Sequence, residues 1–116
     1  MASRTILIVE DEPLIAMMLE DFLDSLGHRC AGTADCVADA LARIDEGGFD
    51  IAILDLHLRD GEAAWPVADA LADKGIRYLF STGGHIGETP ERHRETPTLD
   101  KPFTIAGVEI ALDGLD

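Results

Sequence analysis

Five side chains in this sequence could handle a phosphoryl group, and each lies at or just past the end of a short run that reads as a strand. Glu10 and Asp11 follow Ile6-Leu7-Ile8-Val9, Asp55 closes Ile51-Ala52-Ile53-Leu54, Thr82 lies just past Ile76 to Phe80, and Lys101 follows Thr98-Leu99-Asp100. A carboxylate set where a buried strand runs out is costly to desolvate unless something compensates it. Carboxylates brought close together repel one another and partly protonate unless a cation sits among them. Magnesium suits such a set, being a hard ion held by a few carboxylates together with phosphate and water. Asp55 can then act as a nucleophile toward phosphorus, as in proteins that form aspartyl phosphates. Lys101 would neutralise charge on the transferring group, and the Thr82 hydroxyl would donate a hydrogen bond to one of its oxygens.

That chemistry needs a scaffold that gathers strand ends, and the chain predicts one. Thr5 to Val9 reads as a buried strand. After Pro13, Ile15, Met18, Leu19, Phe22 and Leu26 recur at helical spacing, stopped by Gly27. A weaker strand follows from His28 to Thr33. A second helix, capped by Asp35 or Thr33, carries Val37, Ala40, Leu41 and Ile44 and ends at Gly47-Gly48. The third strand, Ile51 to Leu54, leads to a helix from about Ala63 to Lys74 with Pro66 in its first turn. Ile76 to Phe80 is the fourth strand and Thr98 to Asp100 a short fifth. The last segment, Thr104 to Leu115, has Ile105, Val108, Leu112 and Leu115 at roughly helical spacing. Strands alternating with helices predict an α/β fold: a five-stranded parallel sheet, doubly wound, with helices on both faces. All strands of such a sheet end at one edge, which is where ligands bind.

Size and charge narrow the class. A chain of 116 residues that is 47% hydrophobic has the length of one domain, expected to span 1–116. No apolar run approaches the roughly 20 residues that cross a bilayer, and no leader segment is visible, so the expected location is cytoplasmic, off the membrane. Twenty-three acids against nine bases give a formal charge of −14, which disfavours nucleic acid as a direct partner. Cys30 and Cys36 have neither a redox spacing nor companion zinc ligands and read as buried or helix-start thiols.

The ordered set of acidic pair, strand-end Asp, Thr followed by a small residue, and Lys-Pro-Phe resembles the receiver domain of two-component response regulators. It runs from Ile6-Leu7-Ile8-Val9-Glu10-Asp11-Glu12-Pro13 to Asp100-Lys101-Pro102-Phe103. The resemblance implies a flavodoxin-like (βα)5 fold, similar to CheY, in a stand-alone receiver. It further implies that Asp55 accepts phosphate from a phosphohistidine on a sensor histidine kinase or a histidine phosphotransfer protein. On the same basis Asp11, Asp55 and the backbone carbonyl of His57 hold Mg2+, with Glu10 acting mainly through water, and Lys101-Pro102 matches a position that is usually cis. Such a protein is no enzyme beyond catalysing its own phosphorylation and dephosphorylation.

Two departures shape the expected switch. Receivers commonly carry an aromatic residue three positions before the lysine; here that position is Thr98. Phe80-Ser81-Thr82-Gly83-Gly84-His85 instead resembles the Phe-Ala-Thr-Gly-x-Tyr signature of single-domain receivers, with Ser81 and His85 as imperfect matches. The segment Gly83 to Thr96 has only Ile86 as a large apolar residue, so a short or irregular fourth helix is expected there. Gly83, Gly84, His85 and Thr98 form the expected switch region. Among remaining candidates, His85 could touch phosphate, His57 and His93 read as exposed surface or loop residues, and Trp65 as a packing residue. A haloacid-dehalogenase-type phosphatase needs a second Asp two residues past the nucleophile, where this chain has His57. A receiver-like module that only binds is the third reading, and the complete set of site residues argues against it.

Overall fold

The computed structural model describes residues 3–58, 61–83 and 89–115. Continuous apolar runs build the centre of the sheet. β1 (Thr5–Val9) and β3 (Ile51–Asp55) lie in its centre, and every β3 residue is buried. β2 (Arg29–Ala34) and β5 (Thr98–Asp100) form the edges, and β4 (Arg77–Thr82) sits between β3 and β5, giving the parallel order β2-β1-β3-β4-β5. Successive residues of β1 feed opposite cores. Ile6 and Ile8 pack with Leu19, Leu23, Val108 and Leu112, while Leu7 and Val9 pack with Ala40, Ile44, Val67 and Leu71. The first set comes from α1 (Pro13–Ser25) and α4 (Ile105–Asp113), and the second from α2 (Val37–Glu46) and α3 (Trp65–Asp73). The sheet is thus doubly wound, as expected. Among the described residues no helix is long and apolar enough to cross a membrane.

Local signals act where the sequence put them, with some displacements. Proline stands in the first turn of α1 and of α3, where its missing N–H leaves no intrahelical bond unmade. Gly47, at φ +71°, ends α2 in a conformation that costs other residues strain. The cap of α2 is neither Thr33 nor Asp35. β2 runs one residue further than expected, with Ala34 paired to Val9 and accepting a bond from Glu10 N–H, so the cap position falls on Cys36. No Cys36 side-chain bond caps the helix; the Glu62 carboxylate accepts from Val37 N–H at 3.1 Å instead. β4 continues past Phe80 because Ser81 and Thr82 find partners in Leu99 and Asp100 of β5. Leu41 and Ile105, which share the apolar helical spacing, are exposed; Ala40, Ile44, Val108 and Leu112 fill the buried faces. Cys36 is a helix-start thiol, whereas Cys30 is exposed, since it lies on an edge strand beside Glu20.

Between β4 and β5 the described residues hold a single 3-10 turn, Glu91–His93, consistent with a short, irregular fourth helical element. Gly84 and His85 lie outside the described residues. The Lys101-Pro102 peptide is cis, as the resemblance implied.

Candidate functional site

Four strand ends converge on one carboxylate. Asp55 is the last residue of β3 and Thr82 the last of β4, while Glu10 directly follows β1 and Lys101 directly follows β5. Because the strands are parallel and in register, these residues share the C-terminal edge of the sheet. Glu10, Asp11 and Asp55 each offer a carboxylate oxygen, all within 4.8 Å of one another. The Lys101 ammonium lies between two of them, 2.9 Å from Glu10 Oε1 and 3.1 Å from Asp55 Oδ2. Backbone N–H groups complete the arrangement: His57 N–H donates to Asp55 Oδ1 at 3.2 Å and Glu12 N–H to Glu10 Oε2 at 3.2 Å. Lys101 N–H donates to the Thr82 carbonyl at 2.8 Å, tying the two residues that flank Asp55 on the β5 side.

Burial governs the electrostatics. Glu10 is 3% exposed and Asp55 6%. Burial, reinforced by the hydrogen bond to Asp55 and opposed by Lys101, pushes the Glu10 carboxyl up from 4.5 to about 7. Burial alone would lower the Lys101 ammonium, but its bonds to Glu10 and Asp55 carry it above its ordinary value. Three ionised carboxylates against one ammonium leave a formal charge of −2, which one divalent cation would cancel. Hard oxygen donors at this spacing fit magnesium. An acidic cleft of about 290 Å³, lined by Glu10, Asp11, Thr33, Asp35 and Asp39, opens on one side. An apolar hollow of about 270 Å³, lined by Ile15, Met18, Gly83, Pro102 and Phe103, opens beside Lys101 on the other.

Glu10, Asp11, Asp55 and Lys101 thus come together, with Thr82 at the end of the neighbouring strand. His57 has an exposed side chain and contributes through its backbone N–H, and Thr98 is exposed at the start of β5. His93 overturns its expectation as a solvated loop residue. It is 1% exposed, with Nδ1 2.7 Å from the Tyr78 hydroxyl and Nε2 2.7 Å from Asp69 Oδ1. Its ring stacks on Trp65 at 5.9 Å between centroids, 9° from parallel, and meets Phe80 edge-on. The flanking arginines suggested solvent, yet the stretch from Gly87 to Pro97 contains no aliphatic side chain beyond Pro90 and Pro97. Both prolines are exposed, and the imidazole is the ring this stretch buries. Trp65 packs on the core, as expected, and His93 is what it packs beside.

The sheet thus gathers an acidic pair, a strand-end Asp, a hydroxyl and a lysine at its carboxyl edge, the arrangement of a receiver-type signalling module. Residues 6–63, half of the chain, match the response regulator receiver domain. The Phyllosphere-induced regulator PhyR of Methylorubrum extorquens is 36% identical over 110 residues, which cover 92% of this chain and 41% of that protein. The chain thus spans well under half the length of this curated relative. The solution structure of SdrG from Sphingomonas melonis Fr1 superposes with a TM-score of 0.88 at 55% identity, covering 99% of this chain and 98% of the other. SdrG in its BeF3-activated conformation, from Pseudomonas melonis Fr1, superposes at 0.83 with the same identity and coverage. This chain belongs to the response regulator receiver family, whose members serve two-component signalling.

Proposed function

We propose that residues 1–116 form one receiver domain in which Asp55 accepts a phosphoryl group from a phosphohistidine. The observation carrying this reading is the buried Asp55 carboxylate, held by the Lys101 ammonium at 3.1 Å with Glu10 and Asp11 beside it. An Asp55 oxygen forms the new O–P bond as the P–N bond to the donor ring breaks, and that ring, already protonated on its other nitrogen, departs as neutral imidazole. The His57 N–H bond to Oδ1 and the Lys101 bond to Oδ2 fix the carboxylate's orientation before the donor arrives. Lys101 then offsets charge on the transferred group, and the Thr82 hydroxyl donates to one of its oxygens. Asp11, Asp55 and the His57 carbonyl would hold magnesium, with Glu10 acting through water. When bound, the ion would neutralise the carboxylates and the phosphoryl oxygens together.

The phosphoryl group adds charge beside Thr82, and the region 83–98, including Gly83, Gly84, His85 and Thr98, relays the change to a protein partner. The phosphodonor is a sensor histidine kinase or a histidine phosphotransfer protein in the cytoplasm. A surface of this acidity, formally −14 over the chain, does not favour nucleic acid or an anionic membrane. The chain transforms no substrate beyond its own Asp55. A phosphotransfer profile against the purified histidine kinases of the source organism tests the reading. One kinase should transfer much faster than the rest, and uniform failure with all of them would count against it.

A further inference from the structure

Between Thr89 and Pro97 the only aliphatic side chains are Pro90 and Pro97, both exposed, so these described residues of the β4–β5 connection dock through other groups. His93 is the buried one. An ionised Asp69 can only accept, so Nε2–H donates to it, and in the neutral ring Nδ1 then accepts from the Tyr78 hydroxyl. Both ring nitrogens are satisfied inside a box of Trp65, Tyr78 and Phe80. Outside the box, Arg92 pairs with Asp69 and Asp73, so the turn is fastened to α3 from both sides. From this pin a run of backbone bonds leads to the site. Thr96 N–H donates to the His93 carbonyl at 3.2 Å, Phe80 N–H to Pro97 at 2.9 Å, and Lys101 N–H to Thr82 at 2.8 Å. Lys101 then reaches Glu10 and Asp55 with its ammonium.

We propose that His93 is a positioning residue for the phosphoacceptor site: by pinning the β4–β5 connection to α3, it sets the place of the three-residue strand β5 and through it Lys101. The proposal rests on the reading of Asp55 given above. A strand of three residues has little pairing of its own to fix it, so its place depends on what anchors the chain on either side. The pin is polar and directional, and a buried donor or acceptor left without its partner is costly. Losing it therefore loosens β5 rather than letting it settle elsewhere.

The test uses the full chain and three measurements: amide exchange, the rate of phosphorylation by acetyl phosphate, and the magnesium concentration giving half that rate. His93→Phe keeps the ring and removes both hydrogen bonds. The Thr96 and Lys101 amides should exchange about tenfold faster while β1 and β3 stay protected. The maximal phosphorylation rate should fall about fivefold or more, with half-saturating magnesium unchanged within about twofold, since the carboxylates are not touched. Tyr78→Phe removes one bond, keeps the box, and should give the same pattern at about threefold, which decides the matter should His93→Phe fail to fold. Unchanged Thr96 and Lys101 exchange would overturn the proposal. So would faster exchange with native phosphorylation kinetics, which would leave His93 as a structural tie only. A native protein that takes no phosphoryl group would overturn the reading of Asp55 and the proposal with it, an outcome separable from failure of the His93 variants alone.

Discussion

Glu10 is the residue whose chemistry departs furthest from its sequence. A carboxylate after a strand is unremarkable in solution; placed 3% exposed beside Asp55, it keeps its proton to about pH 7 in the metal-free protein. Because that folded value stands above the ordinary 4.5, the native state holds the proton over a range where the unfolded chain has lost it. The stability Glu10 contributes is complete below about pH 4.5 and is lost as pH rises to about 7, a change on the order of 3 kcal/mol. Chemical denaturation from pH 4.5 to 7.5 without divalent metal should show this fall in the native protein relative to Glu10→Gln, and saturating magnesium should remove most of it. Parallel lines for the two proteins would contradict the account. The same residue shows what was legible beforehand. Glu10, Asp11, Asp55, Thr82 and Lys101 could be read because each sits at a strand end, and parallel strands end together. His93 could not, because its flanking arginines and prolines describe its neighbours in sequence, whereas Trp65, Tyr78 and Asp69 are its neighbours in space.

Elements were legible to within a residue or two where period and punctuation agreed, as in β1, β3 and α1, and less so at caps. The cap of α2 slipped to Cys36 because pairing with β1 drew Ala34 into β2, a tertiary effect that local capping preference cannot anticipate. Cys36 has the extended backbone of a cap, φ −150° and ψ 166°, but contributes no capping bond from its side chain. Cys36→Ser should therefore stabilise the protein by roughly 0.5 to 1 kcal/mol, and Thr104→Ala, which deletes the 3.0 Å bond from Gly107 N–H at the start of α4, should destabilise it by about 1 kcal/mol. Urea unfolding with an unchanged m-value is the measurement; shifts of equal sign in the two variants would contradict the capping argument. Gly32 shows the same interplay within β2. At φ +143° it accommodates the slip in register opposite Ile6 and Leu7, and a Cβ there would meet the Arg43 guanidinium at 2.9 Å.

At the scale of the molecule, −14 of formal charge repels itself, and part of that charge is concentrated at the carboxyl edge of the sheet. A cation bound there stabilises by mass action on the native state. Magnesium at tenfold excess over its Kd should add about 1.4 kcal/mol, equivalent to roughly 5 °C or more in Tm for a domain this size. Asp11→Ala should lose most of that increment. Monovalent salt should raise Tm of the metal-free protein by screening, in both native and Asp11→Ala forms alike. A melting temperature indifferent to magnesium in a chelated buffer would contradict the metal site. The fold itself was the most legible level, since strand–helix alternation leaves few topologies. How the β4–β5 connection is held was the least, because its described residues dock through the His93 imidazole and the Arg92 guanidinium rather than an apolar stripe. The central claim is that this scaffold exists to present Asp55 as a phosphoacceptor, and stoichiometric labelling tests it most directly. With magnesium and acetyl phosphate the native chain should gain one phosphoryl group, released by hydroxylamine, and Asp55→Asn should gain none; labelling of Asp55→Asn at the native rate would contradict the account.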